Sequence, residues 1–268
     1  MRQPLIDLIA VAYNAPTETA RFLDSLRKVG VPFSLTIVEN HSTDPQVEIV
    51  LEKWRPYIEQ LPDCCSSVVL PQGKNLGYAR ACNLGAALGH APYLALLNCD
   101  TAFEEGAVQR IIEYFDTHPE CGVIGPRTTT STGLLTHAGI FRSASGRDLH
   151  RAWMETDNPT YHDVASVPTV SGATYFVRRS TWTELTQCHD YLEVAPEAQG
   201  AFLPTKHFYE ETWCSYHARA HGWDVVYLGT AKLTHEWHKS SPVGSINLTE
   251  AEAQFREACE HHGIELTF

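Results

Sequence analysis

Tyr93-Leu94-Ala95-Leu96-Leu97-Asn98-Cys99-Asp100 is the stretch whose reading decides the fold. Its unbroken apolar run, Tyr93 to Leu97, predicts a short strand buried on both faces of a parallel sheet. His90-Ala91-Pro92 precedes the run and Asp100 closes it, so a carboxylate stands at the strand's carboxyl end. Ligands of open α/β sheets gather just outside that end. A carboxylate there can hold a hard cation against a diphosphate. Asp100 reads equally well as the cap of the next helix.

Working outward, the same alternation of buried strand and amphipathic helix recurs on both sides. Leu5 to Ala12 predicts a first strand ending at Tyr13-Asn14, and Pro16-Thr17-Glu18 opens a helix to about Val29, closed by Gly30. Ser34 to Val38 is a second strand, running into Glu39-Asn40-His41-Ser42-Thr43-Asp44. Glu39 can accept hydrogen bonds from a ribose or base edge; ordinary turn chemistry accounts for the same cluster. Val47 to about Leu61 predicts a helix bent near Pro56, and Ser67 to Leu70 a third strand. Asn75-Leu76-Gly77 then opens a small-residue helix ending near Gly89, with backbone N–H groups and the positive helix end near the ligand edge. Arg80, one turn in, either grips a phosphate or is a solvated surface charge. Beyond Asp100 come a helix over Glu104–Thr117 and a strand at Gly122 to Gly125. Five strand–helix steps predict an α/β fold with a doubly wound, mostly parallel sheet.

Composition agrees with a globular chain. Its 268 residues suffice for a sizeable core, and 43% apolar with 19% charged residues excludes a disordered protein. No apolar run approaches the ~20 residues of a membrane helix. The N-terminal apolar stretch carries Asp7 and is too short for a signal-peptide core. The net charge of −12 argues against a broad nucleic-acid-binding surface. The eight cysteines form no CxxC pair and no Cys/His cluster at zinc spacing along the chain, so free thiols in a reducing cytosol are expected.

After Pro126 the pattern changes. Residues 127–165 predict hairpins and exposed loops, with Arg127, Arg142, Arg147 and Arg151 giving a local positive bias. Val167 to Arg178 predicts strands around Ser171-Gly172-Ala173, where glycine admits a substrate close to the backbone. Residues 187–207 read as an irregular, mobile loop over the site. Tyr209-Glu210-Glu211 opens a helix capped by Gly222; its tandem carboxylates either favour the helix dipole or include a proton acceptor for an attacking hydroxyl. Val225 to Leu228 is a strand, and the following Lys232 to Ser241 brings His235 and His238 in a loop. A neutral His235 and Asp100 would make a divalent-metal pair. Thr249 to His262 predicts a final amphipathic helix, ahead of which Asn247-Leu248-Thr249 matches a glycosylation sequon.

The ordered set of these segments resembles the family 2 nucleotide-sugar glycosyltransferases of the GT-A fold, in particular the rhamnosyltransferase-like branch. The segments are Ala12-Tyr13-Asn14, Val38 to Asp44, Asn75 to Asn83, Leu97 to Asp100, Gly122 to Arg127, Ser171 to Ala173, Tyr209 to Arg219, Gly222-Trp223 and His235. The resemblance implies a single GT-A domain: residues 1–126 as a Rossmann-like nucleotide-sugar half, 127–241 as a smaller acceptor-binding and catalytic β/loop half, and 242–268 as a C-terminal helix and tail. It implies a donor site of Ala12, Tyr13, Asn14, Glu39, Asn75, Gly77, Arg80, Asn98, Cys99 and Asp100. Ser171, Gly172, Ala173 and Trp213 would meet the acceptor. Asp100, the last carboxylate of a DXD motif reduced to Asn98-Cys99-Asp100, would share a Mn²⁺ or Mg²⁺ ion with His235. Glu211, or Glu210 beside it, would be the catalytic base. Glu39 and Glu211 replace the family's usual aspartates, and Trp213 stands where an acidic residue is common.

The activity so implied is inverting transfer of a sugar from a UDP- or dTDP-linked donor to an acceptor hydroxyl, in polysaccharide or glycoconjugate synthesis. The acceptor would be a glycan, a lipid-linked sugar or another hydroxyl. The location would be cytoplasmic, including the inner membrane face. Three other readings stay open at this stage: a non-catalytic nucleotide-sugar-binding relative, a transferase acting on modified DNA bases, and a nucleotidyltransferase. The last would carry a Gly-rich basic loop after the first strand, which Tyr13-Asn14-Ala15-Pro16 lacks.

Overall fold

Two parallel strands, β1 (Ile6–Ala12) and β4 (Tyr93–Asn98), form the centre of the sheet, with Ile6 opposite Tyr93 and Val11 opposite Asn98. The structure is a computed structural model that describes residues 2–143, 148–188, 191–192, 195, 199–205, 208–237 and 248–264. Every residue of β1 is buried, as its apolar sequence requires. On one side β2 (Phe33–Glu39) and β3 (Cys64–Pro71) continue the parallel array. The helices α1 (Pro16–Ser25), α2 (Gln46–Glu59), α3 (Tyr78–Ala86) and α4 (Ala107–Thr117) follow their strands in the predicted order. Proline begins α1, and Pro56 lies inside α2. A 3-10 turn over Leu26–Lys28 takes up the remainder of the first predicted helix before Gly30 at φ 68°.

The other side departs from a simple doubly wound order. The next parallel strand, β6 (Cys121–Thr129), does not join β4 directly. Between them lies β11 (Thr174–Arg178), antiparallel to both. Only this part of the predicted Val167–Arg178 strand pair is extended in the sheet. β12 (Asp224–His235) then runs parallel to β6. It is longer than the predicted Val225–Leu228 strand because a register shift between Leu228 and Lys232 lets pairing resume through Thr234. His235 is therefore the last residue of a strand and not part of a loop. Short strands complete this half: β5 (Thr101–Phe103) and β10 (Val164–Ser166) pair antiparallel with β12, and β7 (Leu135–His137) pairs with β6. The hairpin of β8 (Ile140–Arg142) and β9 (Asp148–His150) is separate. The main sheet thus has the order β10-β12-β6-β11-β4-β1-β2-β3.

Alternate residues of the strands feed two apolar layers. One joins Phe22, Leu23, Phe33, Ile111 and Phe115 beneath α1, α2 and α4. The other joins Ile9, Leu94, Leu96, Tyr175 and Trp182 beneath α3, α5 (Arg179–Gln187) and α6 (Glu210–Ala220). A third cluster of Tyr191, Trp213, Tyr216, Phe255 and Cys259 docks α7 (Leu248–His261) onto α6. At the amino edge of the sheet, buried Asp7 accepts from Arg179 Nη2 (2.5 Å), from the Ala91 N–H (2.8 Å) and from Ser34 Oγ. Arg179 also donates to the carbonyls of Ala86 (2.9 Å) and Ala91 (3.1 Å). This knot fixes the amino edge and leaves the carboxyl edge free for chemistry.

The described part of 187–207 is anchored, against the expectation of a mobile cover. Tyr191 Oη donates to the carbonyls of Gly200 and Phe202 (both 2.8 Å), and Asn83 Nδ2 donates to Phe202 O (2.9 Å). Arg151 is neither a solvated charge nor a free phosphate grip: it forks onto Asp163 (2.7 and 3.0 Å) above Tyr227. Arg127 is buried, 3.6 Å from Asp157, and Arg142 lies over the Tyr216 ring. Arg147, His238, Ser241 and Asn247 of the sequon lie outside the described residues. All eight cysteines are free thiols. Among the described residues no helix is long and apolar enough to cross a membrane.

Candidate active site

Strand polarity gathers the candidate residues at one edge. β1, β2, β4, β6 and β12 all point their carboxyl ends the same way, while antiparallel β11 brings its beginning to that edge. The loops there are tied by side-chain amides. Asn14, at φ 48°, accepts from the N–H groups of Thr43 (2.7 Å) and Asp44 (3.1 Å). Glu39 Oε1 accepts from the Ser42 N–H at 2.7 Å, so one of its oxygens does turn work. Asn40 accepts from the Leu76 N–H (2.8 Å) and donates to Asn75 Oδ1 (3.1 Å), joining the β2 end to the start of α3. Asn75 in turn accepts from the N–H of Gly77, which sits at φ 77°. Arg80 is exposed on the first turn of α3.

A second set of bonds crosses to the antiparallel strand. Tyr78 Oη donates to the Gly172 carbonyl (2.6 Å), and the Asn98 N–H donates to the Ala173 carbonyl (3.0 Å). Ser171 and Gly172 remain partly exposed. A Cβ added to Gly172 would lie 3.2–3.3 Å from Glu211 Cβ, Cγ and Cδ, so glycine lets that carboxylate close against the backbone. Gly172→Ala should therefore push Glu211 aside and lower turnover by roughly 10- to 100-fold with donor binding kept, since small misplacements are costly. Unchanged steady-state turnover would show that Glu211's position does not matter.

Asp100 and His235, separated by 135 positions in the sequence, come together because β5 hooks back onto the end of β12. His235 pairs with Thr101, and the Glu236 N–H donates to the Asp100 carbonyl (2.9 Å). His235 Nε2 lies 3.4 Å from Asp100 Oδ1, and both residues are about 5% exposed. Neither Asp100 Oδ1 nor His235 Nδ1 has a hydrogen-bond partner among the described residues. Buried polar atoms are normally satisfied. An oxygen and an imidazole left open side by side, with a carboxylate–imidazole donor set, fit a divalent cation.

The third component is the start of α6. Phe208 and Tyr209 both adopt left-handed backbone, at φ 66° and 65°, which bulky residues rarely do. Such strain persists only where surrounding structure imposes it, and Tyr209 is stacked on Phe255 of α7. The strained turn delivers Glu210 and Glu211 to the first turn of α6. Glu210 is buried and accepts from Thr205 Oγ1 (3.1 Å), while Glu211 is partly buried beside Gly172. Burial raises both carboxyls above the ordinary range, and the charge of Glu210 raises Glu211 further.

Several expected contacts are corrected by burial. Trp213 has no exposed surface and packs on Tyr191 and His217, so it cannot line an acceptor surface. The Cys99 thiol and the Ala12 methyl belong to the core layer, and Ala173 is buried, which leaves only their backbone atoms for any contact. Sequence reasoning also missed neighbours. Burial, and then the nearby His150 and His235, hold His137 well below the usual imidazole range. The His150 ring meets Trp153, which meets Trp237 edge-on, making an aromatic wall beside His235. Nothing in their spacing marked these residues, since they converge from β7, the β8–β9 hairpin and the end of β12.

Residues 7–173, more than half of the chain, match the model for glycosyl transferase family 2. The chain belongs to glycosyl transferase family 2. Solved structures similar to this family 2 chain share its GT-A fold. They include TarS residues 1–349 of S. aureus in complex with UDP-GlcNAc, at 16% identity and a TM-score of 0.64 over 96% of this chain and 66% of that one. A mannosyltransferase of Pyrobaculum calidifontis in complex with GDP-Man and Mn²⁺ matches at 12% identity and a TM-score of 0.61 over 91% and 59%. GalNAc-T7 with UDP, GalNAc and Mn²⁺ matches at 12% and 0.66 over 95% and 48%. The family 2 chain thus spans about half to two thirds of the length of these structures. No curated protein sequence matches it.

Proposed function

We propose that this family 2 domain transfers a sugar, with inversion, from a nucleoside-diphosphate donor to an acceptor hydroxyl. The observation that carries the reading is the buried, unsatisfied Asp100–His235 pair at the carboxyl edge of the sheet, facing the same edge as Glu211. Glu39, Asn14 and the Asn75–Gly77 turn frame the nucleoside end of the donor. The N–H groups at the start of α3 and exposed Arg80 attract its phosphates. Asp100 and His235 would hold Mn²⁺ or Mg²⁺, which when bound stabilises the departing diphosphate. Glu211, kept close to Gly172, takes the proton of the acceptor hydroxyl as that oxygen attacks the anomeric carbon from the face opposite the leaving group. Glu210, hydrogen-bonded to Thr205, raises the proton affinity of Glu211 and so suits it to that role. Ser171 and Gly172 line the acceptor side, with His150, Trp153 and Trp237 as its aromatic wall. Stacking of sugar faces on such rings supports a carbohydrate acceptor, as in glycoconjugate synthesis.

UDP, dTDP and GDP sugars are all candidates, because similar folds have been crystallised with both UDP- and GDP-linked compounds. Thermal unfolding against these donors, with and without Mn²⁺, tests the proposal. A donor at about 100 times its dissociation constant adds ~2.7 kcal/mol of stability. A shift with one donor that requires the metal is expected; no shift with any of them would overturn the reading.

A further inference from the structure

We propose that Cys188, His217 and His221 form a zinc-binding site, separate from Asp100 and His235, that clasps the end of α5 to the end of α6. One ligand atom from each of the three lies within 4.8 Å of the other two. Cys188 Sγ is 3.6 Å from His221 Nε2. That separation is close to the sulfur–nitrogen edge of a tetrahedral zinc site, roughly 3.6 Å for bonds of about 2.3 and 2.1 Å. The linear spacing hid the site: the two histidines stand one helical turn apart on α6, and the cysteine comes from another helix 29 residues earlier.

His217 supplies the independent observation. It is 2% exposed, yet neither ring nitrogen has a hydrogen-bond partner among the described residues, and the ring meets that of His221 edge-on with centroids 4.8 Å apart. A buried imidazole with both nitrogens open is costly unless something binds it. His221 is already oriented. Its Nδ1 lies 3.0 Å from Glu184 Oε1, and Glu184 Oε2 accepts from Trp223 Nε1 at 3.0 Å. A carboxylate behind a ligating histidine fixes its tautomer and turns the other nitrogen to the metal. The negative end of α6 points at the same place. A thiolate with two imidazoles selects a borderline-soft ion such as zinc over magnesium or calcium. The fourth position is left to water or an exchangeable ligand.

The consequence is mechanical. The opposite end of α6 bears Glu210 and Glu211, so a metal clasp at its carboxyl end would steady the helix that carries the proposed base.

Titration of the full chain with Co²⁺, followed by competition with Zn²⁺, tests the site. Wild type should take up one Co²⁺ with a thiolate-to-cobalt charge-transfer band and tetrahedral d–d bands, both displaced by zinc. Asp100→Ala should keep these bands, whereas Cys188→Ser should lose the charge-transfer band. Cys188→Ser and the exposed His221→Ala should each weaken zinc binding by about 100-fold or more, and Glu184→Gln by about 10-fold. Circular dichroism of each variant reports its fold. If Cys188→Ser does not fold, the wild-type bands and His221→Ala decide. Absence of a thiolate band in wild type, zinc affinity unchanged in His221→Ala, or loss of the bands in Asp100→Ala would overturn the proposal.

Discussion

Glu211→Gln lowers kcat by about 10²–10⁴-fold while donor affinity stays near that of wild type. Glutamine fills the same space against Gly172 but cannot take a proton, so the loss belongs to the chemical step. The pH profile carries the same signature. Because burial and the charge of Glu210 raise the Glu211 carboxyl, the acidic limb of kcat should lie above the ordinary carboxylate range and flatten once the base is ionised. Stability moves the other way. With its folded value raised above the unfolded one, the folded state holds a proton that the unfolded state has released. Its destabilising effect is absent below the ordinary carboxylate range, grows as pH rises through the raised folded value, and then levels off. Glu211→Gln should consequently melt at a higher temperature than wild type above neutral pH and at about the same temperature in acid. Near-wild-type turnover in Glu211→Gln, with a large loss in Glu210→Gln, would transfer the role to Glu210.

Asp100→Ala should lower kcat/KM by roughly 10³-fold, which corresponds to several kcal/mol of lost charge stabilisation at the departing diphosphate. It should do so without unfolding the protein. Asp100 Oδ1 makes no hydrogen bond that the variant would forfeit, and the backbone bond from Glu236 to the Asp100 carbonyl survives. Removing a buried, unsatisfied carboxylate is neutral or favourable for stability. Steady-state turnover beside a melting curve separates these effects. A variant that melts early, or one that retains full metal-dependent turnover, would contradict the assignment.

The central strand with its terminal carboxylate was legible because a buried parallel strand needs continuous apolar sequence, and Tyr93–Leu97 supplies it. The polar stretch Glu39 to Asp44 was legible as a strand end for a similar reason, since Asn, Ser and Asp are turn formers. Long-range pairing was not legible. β11 enters the sheet between β4 and β6, and nothing local in Thr174–Arg178 states which neighbours it will have. Nor does a spacing pattern show that β12 runs on past a register shift to present His235. Trp213 was set against the acceptor by the family resemblance, which says nothing of which face of α6 is covered; α7 buries it in the third apolar cluster. Cys188, His217 and His221 were missed for the same reason: their proximity is created by the packing of α5 against α6.

The most direct test of the central claim is a Mn²⁺ titration followed by electron paramagnetic resonance, with UDP or GDP present, on wild type, Asp100→Ala and His235→Ala. Wild type should bind one nucleotide-dependent Mn²⁺ at this edge, and both variants should bind it at least about tenfold more weakly. Equal Mn²⁺ affinity in all three proteins, or no dependence on the nucleoside diphosphate, would contradict a metal–diphosphate site at Asp100 and His235.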